Sequence, residues 1–207
     1  MTLRVQILAY DGVEALDFAG PFEVFTTASR VSQRLNPSTQ APFEVASVAL
    51  ASAGQPVQAR AGLRLLADCD LADNPKADLL IVPGGVVDAP MESPATLRWI
   101  AECAAGAQLV ASVCTGVFLL AKSGVVTREA VTTHWEDIAD LREQFPSLDV
   151  REGERWIDSG RVVSSAGISA GIDMSLYLVE RLAGRPLAER TARQMDYAWN
   201  SGNHPSA

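Results

Sequence analysis

Blocks of consecutive apolar residues alternate along this chain with segments in which apolar residues recur every three or four positions. The blocks include Leu3 to Ala9, Phe43 to Leu50, Asp78-Leu79-Leu80-Ile81-Val82 and the run from Ala107 that ends at Cys114. Continuous apolar runs of that length predict strands covered on both faces, as in a parallel sheet. The periodic segments predict helices. One runs from Pro21 to Ala28 with Phe22 and Phe25 on one face, its proline placed in the first turn, where a helix tolerates it. Another runs from Ala95 to Ala104, a third from Val117 to Lys122, and a polar-faced one from about Trp135 to Gln144. The stripe Ile172, Leu176, Val179 and Ala183 starts near Ser169 as N-cap, and a last helix spans roughly Leu187 to Trp199.

Two hairpins are expected, Val57-Gln58-Ala59 with Leu63-Arg64-Leu65 off the main sheet, and Arg155–Asp158 with Arg161–Ser164 turning at Ser159-Gly160. A short strand at Ala130-Val131-Thr132 is read as part of the sheet, bringing Thr133-His134 to the edge that carries Pro83-Gly84-Gly85 and Cys114. Strands separated by helices give an α/β fold with a mostly parallel central sheet, and such sheets bind ligands at the carboxyl ends of their strands. Residues 1–199 are read as one α/β domain and 200–207 as a flexible tail, which removes His204 from the candidate chemistry.

Charge changes the picture by exclusion. A formal net charge of −8, with 17 Lys and Arg scattered rather than clustered, argues against a nucleic-acid partner. No apolar run reaches membrane-spanning length and the N-terminus enters a strand directly, so a cytoplasmic protein with no membrane partner is expected. Three widely spaced cysteines make no disulfide framework, and with neither Cys-x-x-Cys nor His-x-x-x-His spacing no metal site is expected.

The candidate chemistry centres on Cys114, in Ser112-Val113-Cys114-Thr115-Gly116, at a strand-to-helix corner. Free N–H groups of the following helix would face the thiol, which is therefore expected to lose its proton more readily than a free one. Cys103, inside a helical pattern, and Cys69, in a polar connection without a basic neighbour, are read as structural. Gly84 and Gly85 can turn their N–H groups outward and, with that of Thr115, form an anion nest, or they make only a tight turn. Asp17, among apolar neighbours before Gly20-Pro21, is either a buried acid of raised pKa that carries a proton or a helix-start cap. Glu14 is its rival, placed earlier in the loop and read as solvated. His134 faces the thiol as base or orienting group, or is packed beside Trp135. Thr115 presents its hydroxyl to a substrate or caps the helix. Gly167-Ile168-Ser169-Ala170-Gly171 lacks a dinucleotide fingerprint and is read as a close-packed helix start near the pocket.

Taken in order, Asp17 with Gly20-Pro21, Pro83-Gly84-Gly85, Ser112 to Gly116, Thr132-Thr133-His134-Trp135 and Ala166 to Asp173 resemble the ThiJ/PfpI superfamily of glutamine amidotransferase-like proteins, and within it the bacterial isocyanide (isonitrile) hydratases. The resemblance implies a flavodoxin-like three-layer sandwich, a homodimer, and a nucleophile-elbow cysteine at Cys114 with Asp17 as the acid that contacts it and Thr115 beside it. It implies a lyase that adds water to a small-molecule isocyanide to give an N-substituted formamide through a cysteine thioimidate, without a cofactor. Gly85 and Thr115 amides would hold charge or water, and Ile168 would contact the substrate's hydrocarbon part. Protease-like members carry histidine directly after the cysteine, where this chain has Thr115, so peptidase activity is disfavoured. The resemblance extends to the sensor domain of AraC-type regulators, without their DNA-binding region. A non-enzymatic ligand or redox sensor, or a cofactor-free glyoxalase, is the alternative.

Overall fold

The structure is a computed structural model that describes residues 1–49, 55–73 and 76–202. In chain order the elements are β1 (Leu3–Ala9), α1 (Ala15–Leu35), β2 (Phe43–Ala49), β3 (Val57–Gln58), β4 (Arg64–Leu65), β5 (Cys69–Asp70), β6 (Leu79–Val82), α2 (Asp88–Met91) and α3 (Pro94–Gly106). They continue with β7 (Leu109–Val113), α4 (Gly116–Lys122), β8 (Ala130–Val131), α5 (Ile138–Gln144), β9 (Asp149–Val150), β10 (Trp156–Asp158), β11 (Val162–Ser165), α6 (Ala170–Ala183) and α7 (Arg185–Gln194).

Seven strands form the central sheet in the order β10-β11-β7-β6-β1-β2-β5. All pair in parallel except β10, which returns antiparallel on β11. From the middle of the sheet the chain steps one way through α1 to β2 and the other way through α3 to β7. Right-handed crossovers in opposite directions put the helices on opposite faces. α6 and α7 pack on α1, while α2, α3 and α4 pack together, and a three-layer α/β sandwich results. Every residue of β6 and β7 is buried, as the unbroken apolar runs of a doubly covered sheet require.

The structure departs from the sequence reading in particular places. α1 starts at Ala15, so Pro21 lies inside the helix rather than in its first turn. A proline there lacks the N–H that would meet the Asp17 carbonyl, and the buried Phe18, Val24, Phe25 and Ala28 hold the helix across that defect. Asp17 is consequently a residue of the first helical turn and not the cap; Glu14 takes the N-cap position without a side-chain cap bond. β8 is not in the central sheet but pairs in parallel with β9, an element the pattern did not signal because it is two residues long. Cys69, read as part of a loop, belongs to the edge strand β5. Ser169 makes no side-chain cap bond, and Ala183 at the end of its stripe is exposed. The last helix ends at Gln194, where Asp196 turns left-handed (φ 50°). The chain beyond is tied back: Trp199 Nε1 donates to the Asp173 carbonyl (3.2 Å) and the Asn200 amide to Asp173 Oδ1 (2.9 Å). Leu50, read as the last residue of the second strand, and His204 lie outside the described residues.

Candidate active site

Cys114 occupies the corner between β7 and α4 with φ 55°, a left-handed conformation costly for a residue with a side chain. Its backbone is fixed from both sides. The Cys114 amide donates to the Ser165 carbonyl (3.0 Å), and the Thr133 hydroxyl donates to the Cys114 carbonyl (2.9 Å). The sequence reading brought Thr133 to this edge but gave it no role. Room for the corner comes from Gly84, where a Cβ would stand 2.6 Å from the Thr115 nitrogen and 2.8 Å from the Cys114 Cβ.

Asp17 sits behind the thiol, completely buried. Burial, and then the nearby Glu14 carboxylate, raise its pKa from 3.8 to about 7. The amides of Gly84 and Ile168 and the Cys114 thiol lie close enough to oppose that shift. Neither Asp17 oxygen, however, has a hydrogen bond of normal geometry among the described residues, so desolvation prevails. The buried-acid alternative, not the capping one, describes this residue. Glu14, expected in solvent, is half-buried in the cavity wall with Arg60 3.8 Å away.

The expectation of an easily ionised thiol is not met in this ligand-free state. Burial first, and the charge of Asp17 second, push Cys114 up to about 12. The Thr115 amide and hydroxyl pull the other way, as the elbow argument requires, but α4 is only seven residues long and the thiol is 8% exposed. Desolvation outweighs so short a helix end. Cys103 is likewise pushed up, to about 11, by burial alone, and Cys69 is raised by burial with Asp68 and Asp73 beside it.

The anion nest also needs correction. Thr115 Oγ1 accepts from the Gly85 amide and donates to the Gly85 carbonyl, each at 2.9 Å. That reciprocal clamp occupies the Gly85 N–H assigned to charge stabilisation, and it occupies the Thr115 hydroxyl, which neither caps α4 nor stands free for a substrate. The Gly84 amide is directed towards Asp17. Of the three expected donors, only the Thr115 amide faces the sulfur.

Cys114 and Thr115 open into a cavity of about 330 Å³. Val86, Met91, Phe118 and Ile168 supply apolar wall, Glu14, Arg60, Asp88, Glu136, Asp137 and Asp140 supply charge, and His134 adds a polar ring. Ile168 is left-handed (φ 44°), a strained conformation for a β-branched residue, and 41% exposed at the cavity wall. His134 lines the same cavity, but its Nδ1 accepts from the Glu136 amide (3.4 Å) and lies 3.6 Å from Asp137 Oδ2. Its ring fits against Gly167, where a Cβ would come within 2.1 Å of Cδ2. The structure thus joins His134 to the acidic wall and to Gly167 rather than to the sulfur. Among the described residues no group of three or more His, Cys, Asp or Glu side chains converges to hold a metal ion, and no helix is long and apolar enough to cross a membrane.

A strained cysteine at the carboxyl edge of a parallel sheet, with a buried carboxyl behind its sulfur, defines an α/β protein of the cysteine-elbow class. The chain belongs to the DJ-1/PfpI family, whose model matches residues 3–181. Its relatives include the isonitrile hydratase of Pseudomonas putida, 32% identical over 199 residues that cover 96% of this chain and 80% of that protein. They also include the HTH-type transcriptional regulator CdhR of Pseudomonas aeruginosa, 31% identical over 70% of this chain but only 43% of the regulator. Among solved structures, a ThiJ/PfpI family protein from Pseudomonas syringae superposes with a TM-score of 0.81 at 25% identity, covering 98% of this chain and 79% of the other. Drosophila melanogaster DJ-1beta shares the fold at a TM-score of 0.80 and 21% identity, covering 96% and 100%.

Proposed function

We propose that this protein is a hydratase that adds water to an isocyanide through Cys114. The observation that carries the reading is the pairing of Cys114, at the floor of a cavity, with a buried acid whose pKa is raised to about 7, in a chain 32% identical to an isonitrile hydratase. At neutral pH such an acid is present in both protonation states and can take a proton and return it. The ionised Asp17 accepts the Cys114 proton as Sγ attacks the terminal isocyanide carbon. This transfer neutralises the charge that opposed the thiolate, so the high resting pKa of the thiol is not the pKa at the moment of attack. Asp17 then delivers the proton to the same carbon, giving the thioimidate Sγ–CH=N–R. Water adds to that carbon, the C–S bond breaks, the N-substituted formamide leaves and the Cys114 thiol is regenerated, with no net oxidation and no cofactor. The Thr115 amide holds the sulfur's charge, and Val86, Met91 and Ile168 receive the hydrocarbon part. Incubation with a simple alkyl isocyanide is expected to give the N-alkyl formamide, and the Cys114→Ser protein none; equal inertness of both proteins would end this reading.

A second reading, a ligand or redox sensor working as a homodimer, is favoured by the regulator relative, while the thiol's high resting pKa weighs against its redox form, because oxidation proceeds through the thiolate. Stoichiometric sulfinic acid at Cys114 after mild peroxide, without isocyanide turnover, selects it by mass spectrometry.

A further inference from the structure

The charge of the cavity wall bears on what enters it. Elsewhere on this chain several carboxylates are matched by arginines: half-buried Asp78 by Arg4, buried Asp173 by Arg155, half-buried Glu180 by Arg185 and exposed Asp158 by Arg181. Around Cys114 carboxylates outnumber cations. Arg60 is engaged with Glu14 and its charge also reaches Asp137, while the His134 ring lies beside Glu136 and Asp137. Asp88 and Asp140 have no ion pair among the described residues. Three of these four, Asp88, Glu136 and Asp140, are exposed at the mouth, whereas Asp137 is half-buried. Asp137 is also the N-cap of α5 yet makes no cap bond, so helix capping does not account for its carboxylate. A second observation concerns the floor. The Asp17 carboxyl, fully buried and without a hydrogen-bond partner of normal geometry among the described residues, abuts the thiol that opens into this same space. Between floor and mouth the wall is apolar at Val86, Met91 and Phe118.

We infer that the cavity is built for a substrate with three successive parts: an electrophilic carbon at Cys114, an apolar stem along Val86, Met91 and Phe118, and a cationic ammonium group among Asp88, Glu136, Asp137 and Asp140. This rests on the hydratase reading for the electrophilic end, and on the excess of carboxylates in the cavity wall alone for the cationic end. Anionic electrophiles are disfavoured by the same wall, since a carboxylate entering it meets Asp88, Glu136, Asp137 and Asp140 with Arg60 as the one arginine among the described lining residues. A cation also acts on the thiol. Asp137 is one of the groups that hold Cys114 protonated, and a positive charge seated beside it relieves that effect.

The test uses binding, so that it does not depend on turnover. Pentyltrimethylammonium, hexanamide and hexanoate share a five-carbon stem and differ in charge; each is titrated calorimetrically into the full chain at low ionic strength. The cation is expected to bind about tenfold more tightly than the amide, with hexanoate weakest, and the advantage to shrink in high salt. The double variant Glu136→Gln/Asp140→Asn is expected to lose at least about threefold of that preference, and Asp88→Asn a smaller part. Equal binding of cation and amide, no binding of the cation, tighter binding of hexanoate, or an unchanged preference in the double variant overturns the inference. Charge preference without formamide production removes the hydratase reading alone. Formamide production without charge preference removes this inference alone.

Discussion

The two edges of the central sheet carry the same kind of side chain in opposite conditions. At the amino-terminal edge Asp78, just before β6, accepts from the Arg4 amide at 2.8 Å and from Arg4 Nε at 3.2 Å, and those bonds hold its pKa below the usual 3.8. At the carboxyl-terminal edge Asp17 is fully buried, has no normal hydrogen bond among the described residues, and is raised to about 7. The left-handed side-chain-bearing residues Cys114 and Ile168 also belong to the second edge. One edge is satisfied and holds the sheet together, while the other carries unpaired charge and backbone strain where the nucleophile stands. A fold tolerates local violations of that sort when they sit where chemistry is done and the surrounding structure compensates for them.

The largest expected effect is at Asp17, where activity and stability part company. Asp17→Asn removes the proton carrier and is expected to lower turnover of an alkyl isocyanide roughly a hundredfold or more. For stability the sign follows from the shift. The unfolded chain loses this proton near 3.8 and the folded chain near 7, so the folded state binds more protons between those values. Stability from this group is therefore present at acid pH and lost as pH rises through about 7, an effect on the order of 4 kcal/mol if the whole shift is realised. The asparagine variant is expected to melt well above the wild type at pH 8 and to converge with it near pH 4. Thermal unfolding followed across that range checks this, and a variant less stable at pH 8 would contradict the picture of an unpaired acid.

Gly84→Ala strains the same edge from the other strand. The added Cβ meets backbone, the Thr115 nitrogen, at 2.6 Å, so the neighbour cannot swing aside. A loss of about 1–3 kcal/mol is expected, together with slowed alkylation of Cys114 by iodoacetamide as the elbow shifts. Denaturant melts and mass-monitored alkylation read the two effects. An equally stable and equally reactive variant would mean that the corner is looser than its contacts imply.

Asp78→Ala is the control at the opposite edge. The Arg4 amide loses its carboxylate acceptor, for an expected cost of about 1–2 kcal/mol. Because this pKa is lowered, the wild-type advantage is present above 3.8 and fades as pH falls below it, opposite in sense to Asp17. Turnover is expected to be unchanged. A fall in kcat would show that the two edges are not independent.

What could be read from the residues follows the same division. β1, β6 and β7 were legible because doubly covered strands demand unbroken apolar runs, and the elbow at Cys114 because strand, turn and helix are contiguous in the chain. The start of α1 was not, since Pro21 is a strong local signal overruled by the burial of Phe18 and Val24 on the sheet. The sheet-like run at Ala130-Val131 gave no hint that its partner would be β9 rather than a strand of the central sheet. In the site, the raised pKa of Asp17 was foreseeable from its apolar neighbours. The clamp between Thr115 and Gly85 and the excess of carboxylates around His134 were not. They arise where segments far apart in the sequence converge, and no periodicity records which donors are already taken.

The smallest effect isolates one such long-range contact. Thr133 Oγ1 donates to the Cys114 carbonyl at 2.9 Å, 19 residues away in sequence. Thr133→Val keeps the shape, deletes the donor and leaves a buried carbonyl under-satisfied, for an expected cost of about 1 kcal/mol. If the bond serves to hold the elbow, kcat falls a few-fold while KM is unchanged, because the substrate never touches Thr133 Oγ1. If the bond is only part of the core, stability falls by the same amount and kcat stays at the wild-type value. Thr133→Ser, which retains the hydroxyl, is expected to restore kcat before it restores stability, since it returns the donor without the methyl group. That order of recovery distinguishes a nucleophile positioned by a distant strand from one held by its own turn alone.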